Sequence, residues 1–219
     1  VGKVYSIGTN AFSQLDQVTN ITLNEAMKTI KDFGFESMTN ISTIELTKNV
    51  QTLGVGLFKN CGNLSTITVD SENVKYQSIN GVLYTKPESK ENTATMLIAY
   101  PMNTGSRVYT IDSFTTEIAA YAFYNHKTLA FLEINEGLKT IHGYAFAKIQ
   151  KLRTIMLPKT LTTIKSYAFD SSAIKSIFYL GTTQMTCEDK IFRESTTGAK
   201  NIRVKREFDS TKTSFCSNS

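Results

Sequence analysis

Few side chains of this chain have the types and spacing that catalysis or metal binding requires. The two histidines, His126 and His142, lie in different sequence repeats, and no nucleophile stands in a strand-to-helix elbow near them. No glycine-rich loop suits a phosphate, and the Cys and His spacings do not match a zinc site. We therefore expect no enzyme, no cofactor and no metal, with His126 partly buried and His142 facing solvent.

The three cysteines offer thiol or disulfide chemistry instead. Cys61 occupies a column that Leu15, Met38 and Ile149 hold in other repeats, which predicts a buried core thiol. Cys187 and Cys216 lie in an irregular C-terminal stretch. They either form a disulfide, which would hold the last coil in place and requires an oxidising compartment, or remain unpaired.

The elements that position these side chains follow a period of 23 residues. The repeated residue is a phenylalanine, found at Phe12, Phe35, Phe58, Phe123, Phe146, Phe169 and Phe192. Apolar residues return six, nine, eleven, fifteen and eighteen positions after most of them. The step of two from nine to eleven predicts a short strand, and the steps of three and four predict a tight coil. Such coils bury their apolar edges only by stacking on one another.

The clearest repeat contains Tyr144-Ala145-Phe146, then Leu152 to Pro158, then Leu161 to Ile164. This pattern resembles the BspA-like leucine-rich repeat surface proteins over nearly the whole chain. The resemblance implies an α/β-type leucine-rich repeat solenoid of mostly short strands and irregular coils, with 23-residue repeats and a β-hairpin insertion. The chain departs from the pattern where the usual leucine-rich-repeat asparagine is mostly missing. Its slot holds Ala26, Asn49, Glu72, Gly137 and Thr160.

We expect one continuous solenoid domain with four segments. Residues 1–70 form N-terminal repeats that begin in mid-repeat, which suggests a piece of a longer protein, and 111–200 form C-terminal repeats. Residues 71–110 break the period, and Asn80-Gly81 between alternating residues predicts a β-hairpin there. This insertion either covers the solenoid flank or projects as a contact loop. Residues 201–219 form a C-terminal cap or tail.

The strand period assigns positions seven, eight and ten after each phenylalanine to an outward face. In the N-terminal repeats these positions are mostly Ser and Thr, whereas the C-terminal repeats place larger side chains there. Aromatic residues flanked by basic ones commonly anchor interfaces. The predicted partner-binding residues are Phe131, Glu133, Arg153, Met156, Lys175 and Phe178. A one-residue slip of the strand register, or a covering loop, would instead bury them.

Charge is distributed unevenly along the chain. Residues 1–138 carry 10 Lys and Arg against 13 Asp and Glu, whereas 139–219 carry 14 against 6. The basic end either attracts an acidic partner, such as an acidic glycan or protein, or is simply a solvated surface. The basic residues do not form a stripe with stacking aromatics, so we expect no nucleic acid. No apolar run is long enough for a membrane span.

The resemblance implies a cell-surface or secreted protein-interaction module that adheres to host or matrix proteins. The sequons at Asn20, Asn40 and Asn63 add weak support for an extracellular location, because a Ser- and Thr-rich chain contains such motifs by chance. The alternative is a structural spacer or self-associating stalk within a larger surface protein. A repeat scaffold sets where binding occurs and leaves the ligand open.

Overall fold

The computed structural model describes residues 3–89 and 95–192, together with the backbone of 201–204. These residues form short strands and turns, and the described part contains no helix. The chain divides into two compact units, one from Val1–Gly105 with Tyr121–Phe123 and the other from Ser106–Ala120 with Tyr124–Ser219. The predicted class, a leucine-rich repeat solenoid of short strands and coils with a hairpin insertion, is confirmed. The expectation of one continuous domain stays a prediction.

The strands of the first unit pair in three groups. Its strands are β1 (Ser6–Ile7), β2 (Thr29–Ile30), β3 (Thr43–Leu46), β4 (Thr52–Leu53), β5 (Thr66–Val69), β6 (Tyr76–Ile79), β7 (Val82–Thr85) and β8 (Thr95–Ala99). Strands β1, β2 and β4 pair in parallel, as do β3 and β5. Strand β7 pairs antiparallel with both β6 and β8.

The strands of the second unit also pair in three groups, and all of these pairings are parallel. Its strands are β9 (Val108–Ile111), β10 (Thr115–Ile118), β11 (Phe131–Ile134), β12 (Thr140–Ile141), β13 (Thr154–Leu157), β14 (Thr163–Ile164), β15 (Ser176–Tyr179), β16 (Thr186–Cys187) and β17 (Asn201–Val204). One group joins β9 to β11, and a second runs β10, β12, β14, β16. The third runs β13, β15, β17.

The strand register follows the sequence period. Ile44 pairs with Ile67 in the first unit, and Ile141 pairs with Ile164 in the second. Each pair is one repeat apart, so like residues stack on like residues. The shortened repeat after Phe169 keeps this order, because Ile155 pairs with Ile177. The buried ladders therefore match the columns expected from the sequence.

The repeated phenylalanines also stack, as the period predicts. The ring centroids of Phe35 and Phe58 lie 5.7 Å apart with an interplanar angle of 5°. Those of Phe146 and Phe169 lie 5.6 Å apart at 9°. Phe35, Phe146 and Phe169 are fully buried. Offset stacking at this distance suits adjacent coils and adds to the burial of apolar area.

Each coil turns sharply on both sides of its phenylalanine. The residues two positions before and two positions after each phenylalanine have positive φ angles, which residues other than glycine rarely adopt. The residues before it are Asn10, Phe33, Gly56, Tyr121, Tyr144, Tyr167 and Lys190. The residues after it are Gln14, Ser37, Asn60, Asn125, Lys148 and Ser171. The tight stacking of neighbouring coils supports these strained positions in repeat after repeat.

The predicted hairpin is present and packs against the first unit's repeats. Asn80 and Gly81 form the tip between β6 and β7 with φ angles of 51° and 80°, as a type I′ turn requires. The amide of Ile67 donates a hydrogen bond of 2.9 Å to the carbonyl of Gly81. The hairpin tip thus gives a partner to a backbone amide on the open edge of β5, which would otherwise be unsatisfied.

The cysteine and histidine predictions have different outcomes. Cys61 is fully buried and free, and His126 is buried with its Nδ1 accepting a hydrogen bond of 3.1 Å from the amide of Leu129. Cys187 is buried and disulfide-bonded, whereas Cys216 lies outside the described residues. His142 is only partly exposed, because its Nε2 lies 2.7 Å from Glu117 Oε2 on the preceding coil.

Candidate functional site

The outward face of the second unit is set by the alternation of its four-residue strands. Leu132, Ile155 and Ile177 point inward and are buried at the centres of β11, β13 and β15. Their sequence neighbours therefore point outward. The predicted register is correct for these strands, since Phe131 is 64% exposed and Met156 is 51% exposed.

Apolar side chains form two pairs on this face. Val108 of β9 stands directly beside Phe131 of β11, and Met156 of β13 stands directly beside Phe178 of β15. Strands β11 and β13 lie against each other. The two pairs therefore lie on two sheets whose strands β11 and β13 are in contact, and within each sheet the side chains in register on adjacent strands are near neighbours.

Val108 is the residue that the sequence reading missed. It is 57% exposed and has the same position in its strand as Phe131. The signal was present, because Val108 precedes Phe131 by one 23-residue period. The reading placed it in the insertion because its repeat has no phenylalanine at the expected position.

Phe178 is less exposed than the other predicted aromatic residue. Its strand, β15, lies between β13 and β17, and Phe178 pairs with Arg203 in register. Phe178 thus has a strand on each side, whereas Val108 lies on the edge strand of the β9–β11 sheet. A central position accounts for its half-buried side chain.

Basic residues flank the apolar pairs at the start of the strands. Arg153 and Lys175 immediately precede β13 and β15, and the Lys175 amide donates to the Arg153 carbonyl at 2.8 Å. Arg107 takes the same place before β9. All three are exposed, and the described residues contain no carboxylate in ion-pair contact with them. The arrangement is a row of cations along one side of an apolar surface.

Glu133, the sixth predicted residue, already has a partner on its own face. Its Oε2 accepts a hydrogen bond of 3.1 Å from Thr110 Oγ1 on the adjacent strand β9. The carboxylate remains exposed but is oriented by this contact. It separates the Val108–Phe131 pair from the C-terminal ends of the same strands.

The side chains that could take part in chemistry are dispersed over the described residues. Across residues 3–89 and 95–192, no three His, Cys, Asp or Glu side chains lie close enough to hold a metal ion. Burial raises the pKa of the Cys61 thiol to about 12, so this cysteine is a poor nucleophile at neutral pH. The contact between His142 and Glu117 links the end of β12 to β10. In the same way, Lys165 after β14 pairs with Glu188 of the following coil at 2.7 Å.

The part of the chain described here includes no helix suited to crossing a membrane.

Comparison with known sequences identifies the repeat. The profile of the BspA type leucine rich repeat region matches six copies, over residues 2–85 and 111–219. A comparison with proteins of curated function finds no match.

Solved structures show the same fold. The pneumococcal vaccine antigen PcpA is 26% identical, with a TM-score of 0.73 over 94% of this chain and 56% of its own. A leucine-rich repeat protein from Eubacterium ventriosum is 26% identical, with a TM-score of 0.68 over 81% of this chain and 52% of its own. A leucine rich cell surface protein from Faecalibacterium prausnitzii is 22% identical, with a TM-score of 0.70 over 96% of this chain and 61% of its own. The chain thus spans little more than half the length of the structures it matches.

Proposed function

The chain belongs to the BspA-type leucine-rich repeat family, and from this premise we propose that it is a protein-binding module acting at a cell surface or after secretion. Its partner is a host or matrix protein, held on the outward sheet face of the second unit. We call this surface the apolar–basic face. It consists of Arg107, Val108, Phe131, Arg153, Met156, Lys175 and Phe178. The proposal assigns no catalytic role to the chain.

The observation that carries the proposal is the exposure of large apolar side chains in register. Phe131 and Met156 are both more than half exposed, on two strands in contact whose inward neighbours Leu132 and Ile155 are buried. Isolated surface apolar residues are ordinary, but a contiguous set rimmed by charge is typical of interaction sites. Equivalent outward positions in the first unit carry Thr43 and Thr66, which make no such patch.

The charges on the face define the chemistry of the partner. Arg153 and Lys175 stand side by side next to the apolar pairs, in the part of the chain with the excess of basic residues. A complementary surface would present apolar side chains bordered by Asp or Glu. Charge complementarity of this kind speeds association and sets the orientation of the partner. The pneumococcal antigen and the Faecalibacterium protein, described as a vaccine antigen and a cell surface protein, support a surface location.

Binding to immobilised fibronectin, laminin and type IV collagen, measured by surface plasmon resonance, tests the proposal. The chain should bind at least one of them, and Phe131→Ala/Arg153→Ala/Met156→Ala/Phe178→Ala should weaken that binding at least about tenfold. Thr43→Ala/Thr66→Ala, at equivalent outward positions of the first unit, should bind as the unaltered chain does. Equal binding by both variants would remove the face as the site.

Two other partners of the apolar–basic face, a second copy of the chain and an acidic glycan, are distinguished by separate measurements. A molar mass that rises with concentration in light scattering, and falls in Phe131→Ala/Met156→Ala, would assign the face to self-association, as in a stalk. Retention on a heparin column that is abolished by Arg153→Gln/Lys175→Gln, without any protein binding, would assign it to an acidic glycan. High salt should weaken both the protein and the glycan interaction, because exposed charges are screened.

A further inference from the structure

The exposed apolar residues of the second unit run obliquely across its four-residue strands. Val108 and Phe131 are the first residues of β9 and β11, whereas Met156 and Phe178 are the third residues of β13 and β15. Leu180, which is 40% exposed, follows β15 and continues its outward alternation. The apolar positions therefore move from the beginning of the strands to their end over four successive coils. We call these five residues the apolar stripe.

The stripe has opposite charges on its two sides. At the beginning of the strands, Arg153 and Lys175 directly precede β13 and β15. At the end of the strands, Glu133 is the third residue of β11 and Glu136 follows that strand. All four side chains are exposed, and none of them forms an ion pair among the described residues. The stripe thus has a basic flank and an acidic flank.

The outward face offers side chains and no backbone partners. Strand β9 pairs with β11, and β13 pairs with β15, so the backbone hydrogen bonds lie in the plane of each sheet. A peptide in an extended conformation adds to the edge of a sheet, where backbone groups are free. A helix satisfies its backbone groups internally, so it can bind to a sheet face through side chains alone.

The length of the stripe suits a short helix. From Val108 to Leu180 the stripe crosses three strand spacings and advances by four residues, which is about 20 Å at the usual dimensions of a sheet. A helix rises about 1.5 Å per residue, so about 13 residues cover the stripe. An amphipathic helix presents one apolar side with polar side chains on both flanks, which is the pattern that this face complements.

We infer that the partner contacts this face through an amphipathic α-helix that lies along the apolar stripe. Acidic residues on one flank of the helix meet Arg153 and Lys175, and basic residues on the other flank meet Glu133 and Glu136. A sulfated glycan or an anionic membrane surface would match only the basic flank and be repelled by the acidic one. The location of the helix rests on the proposed function, whereas its secondary structure and charge pattern follow from the stripe.

Three fluorescein-labelled peptides of about four helical turns test the charge pattern by fluorescence anisotropy. All have leucine at heptad positions a and d and alanine at f. The mixed peptide has glutamate at b and e and lysine at c and g, whereas the other two have only glutamate or only lysine there. At about 0.15 M salt, which screens long-range attraction, the chain should bind the mixed peptide at least about fivefold more tightly than either. Tighter binding of a single-charge peptide, or no binding of the mixed peptide at millimolar concentration, would overturn the inference.

Charge substitutions in the protein separate recognition from the peptides' own helix propensity. Glu133→Lys/Glu136→Lys should make the chain prefer the glutamate peptide, and Arg153→Glu/Lys175→Glu should make it prefer the lysine peptide. Glu133→Gln/Glu136→Gln is the neutral control, which should reduce the preference for the mixed peptide without reversing it. Preferences that do not follow these substitutions would count against the inference.

A proline at the central f position of the mixed peptide tests the helix itself. Position f faces away from the stripe, but proline interrupts the helix there, so binding should weaken at least about tenfold. The described part of the chain has no helix, so a gain of helical circular dichroism on mixing should come from the peptide. Equal binding of the two peptides would show that the bound segment is not helical.

Substitutions at the two ends of the stripe test the path of the helix. Val108→Ala/Leu180→Ala should weaken binding of the mixed peptide about fivefold, because less apolar area is buried. Val55→Ala/Val74→Ala removes two exposed valines of the first unit and should leave binding unchanged. Unaltered binding by the first variant would contradict a helix that follows the stripe.

The two proposals fail separately. Loss of matrix-protein binding in the quadruple variant, combined with equal binding of the proline peptide, would keep the face as the site and reject the helix. Peptide binding in the expected order, without binding of any matrix protein, would keep the helix and reject the choice of a matrix protein.

Discussion

Met156 of β13 and Phe178 of β15 occupy paired register positions on the same face of one parallel sheet, while the pair beside them, Ile155 and Ile177, is fully buried. A shift of one residue along the strands would exchange these two pairs between interior and solvent. The inside-to-outside assignment of the whole candidate surface therefore depends on this register.

The register predicts opposite responses at two neighbouring positions. Ile155→Ala should lower the free energy of unfolding by about 3 kcal/mol, because it opens a cavity in the packed ladder. Met156→Ala should change it by less than about 1 kcal/mol, because the side chain is half exposed. Urea unfolding followed by circular dichroism measures both, and equal losses would mean that Met156 is packed.

Asn73 should be one of the most sensitive polar residues in the first unit. It is fully buried, its Nδ2 donates to the carbonyls of Thr47 and Val50, and its Oδ1 accepts from the amides of Lys75 and Tyr76. Asn73→Leu should cost about 3 kcal/mol, because these four backbone groups lose their partner inside the protein.

Asn49 provides the matched control for this substitution. It is exposed and donates a single hydrogen bond of 2.7 Å to the Glu25 carbonyl. Asn49→Leu should cost no more than about 1 kcal/mol in the same urea experiment. Similar costs for the two variants would argue against a special role of the Asn73 network.

Gly56 lies at a position where there is no space for a side chain. Its φ is +63°, and an added Cβ would overlap Cε1 of Phe33, whose ring contacts Tyr121 edge-on at 5.4 Å between centroids. Gly56→Ala should destabilise the protein by about 2 kcal/mol or more through backbone strain and ring displacement.

Gly62→Ala is the comparison for this prediction, since nothing lies within 4 Å of its added Cβ. It should change stability by no more than about 0.5 kcal/mol. Differential scanning calorimetry of the two variants should therefore show a lower midpoint for Gly56→Ala alone.

Cys61 should resist thiol reagents in the folded protein. Burial raises the pKa of its thiol to about 12, and its Sγ donates to the Phe35 carbonyl at 3.0 Å. Because the pKa is higher when folded, the unfolded state loses its proton first as pH rises above about 9, and the stability from this group declines there. Iodoacetamide at pH 8, read by mass spectrometry, should modify Cys61 in urea but hardly in buffer; fast modification in buffer would show an open core.

The sequence was sufficient for the repeat, the ladders and the hairpin. Phe35 and Phe58 stack because a fixed period places them on successive coils, and periodicity is visible without coordinates. Asn80-Gly81 carries its turn preference in its own backbone. The outward positions of Phe131 and Met156 followed from the same alternation.

Other features could not be read from local patterns. Asn73 stands at a position where other repeats carry Met27, Val50 or Leu138, so its type alone indicated a departure from the core. Only the structure shows that four backbone groups of two coils converge on it. His142 was expected to face solvent, but its side chain contacts Glu117 of the preceding coil and is only partly exposed.

The amino-acid order alone determined the coil, its inward columns and which strand positions face outward, because these depend on spacing along the chain. Tertiary structure decided which outward residues become neighbours: Val108 beside Phe131, and Met156 beside Phe178. Those residues lie at least 20 positions apart in sequence, and their proximity arises from how coils stack. Binding surfaces of a repeat protein are assembled across coils, so a single repeat contains only part of each site.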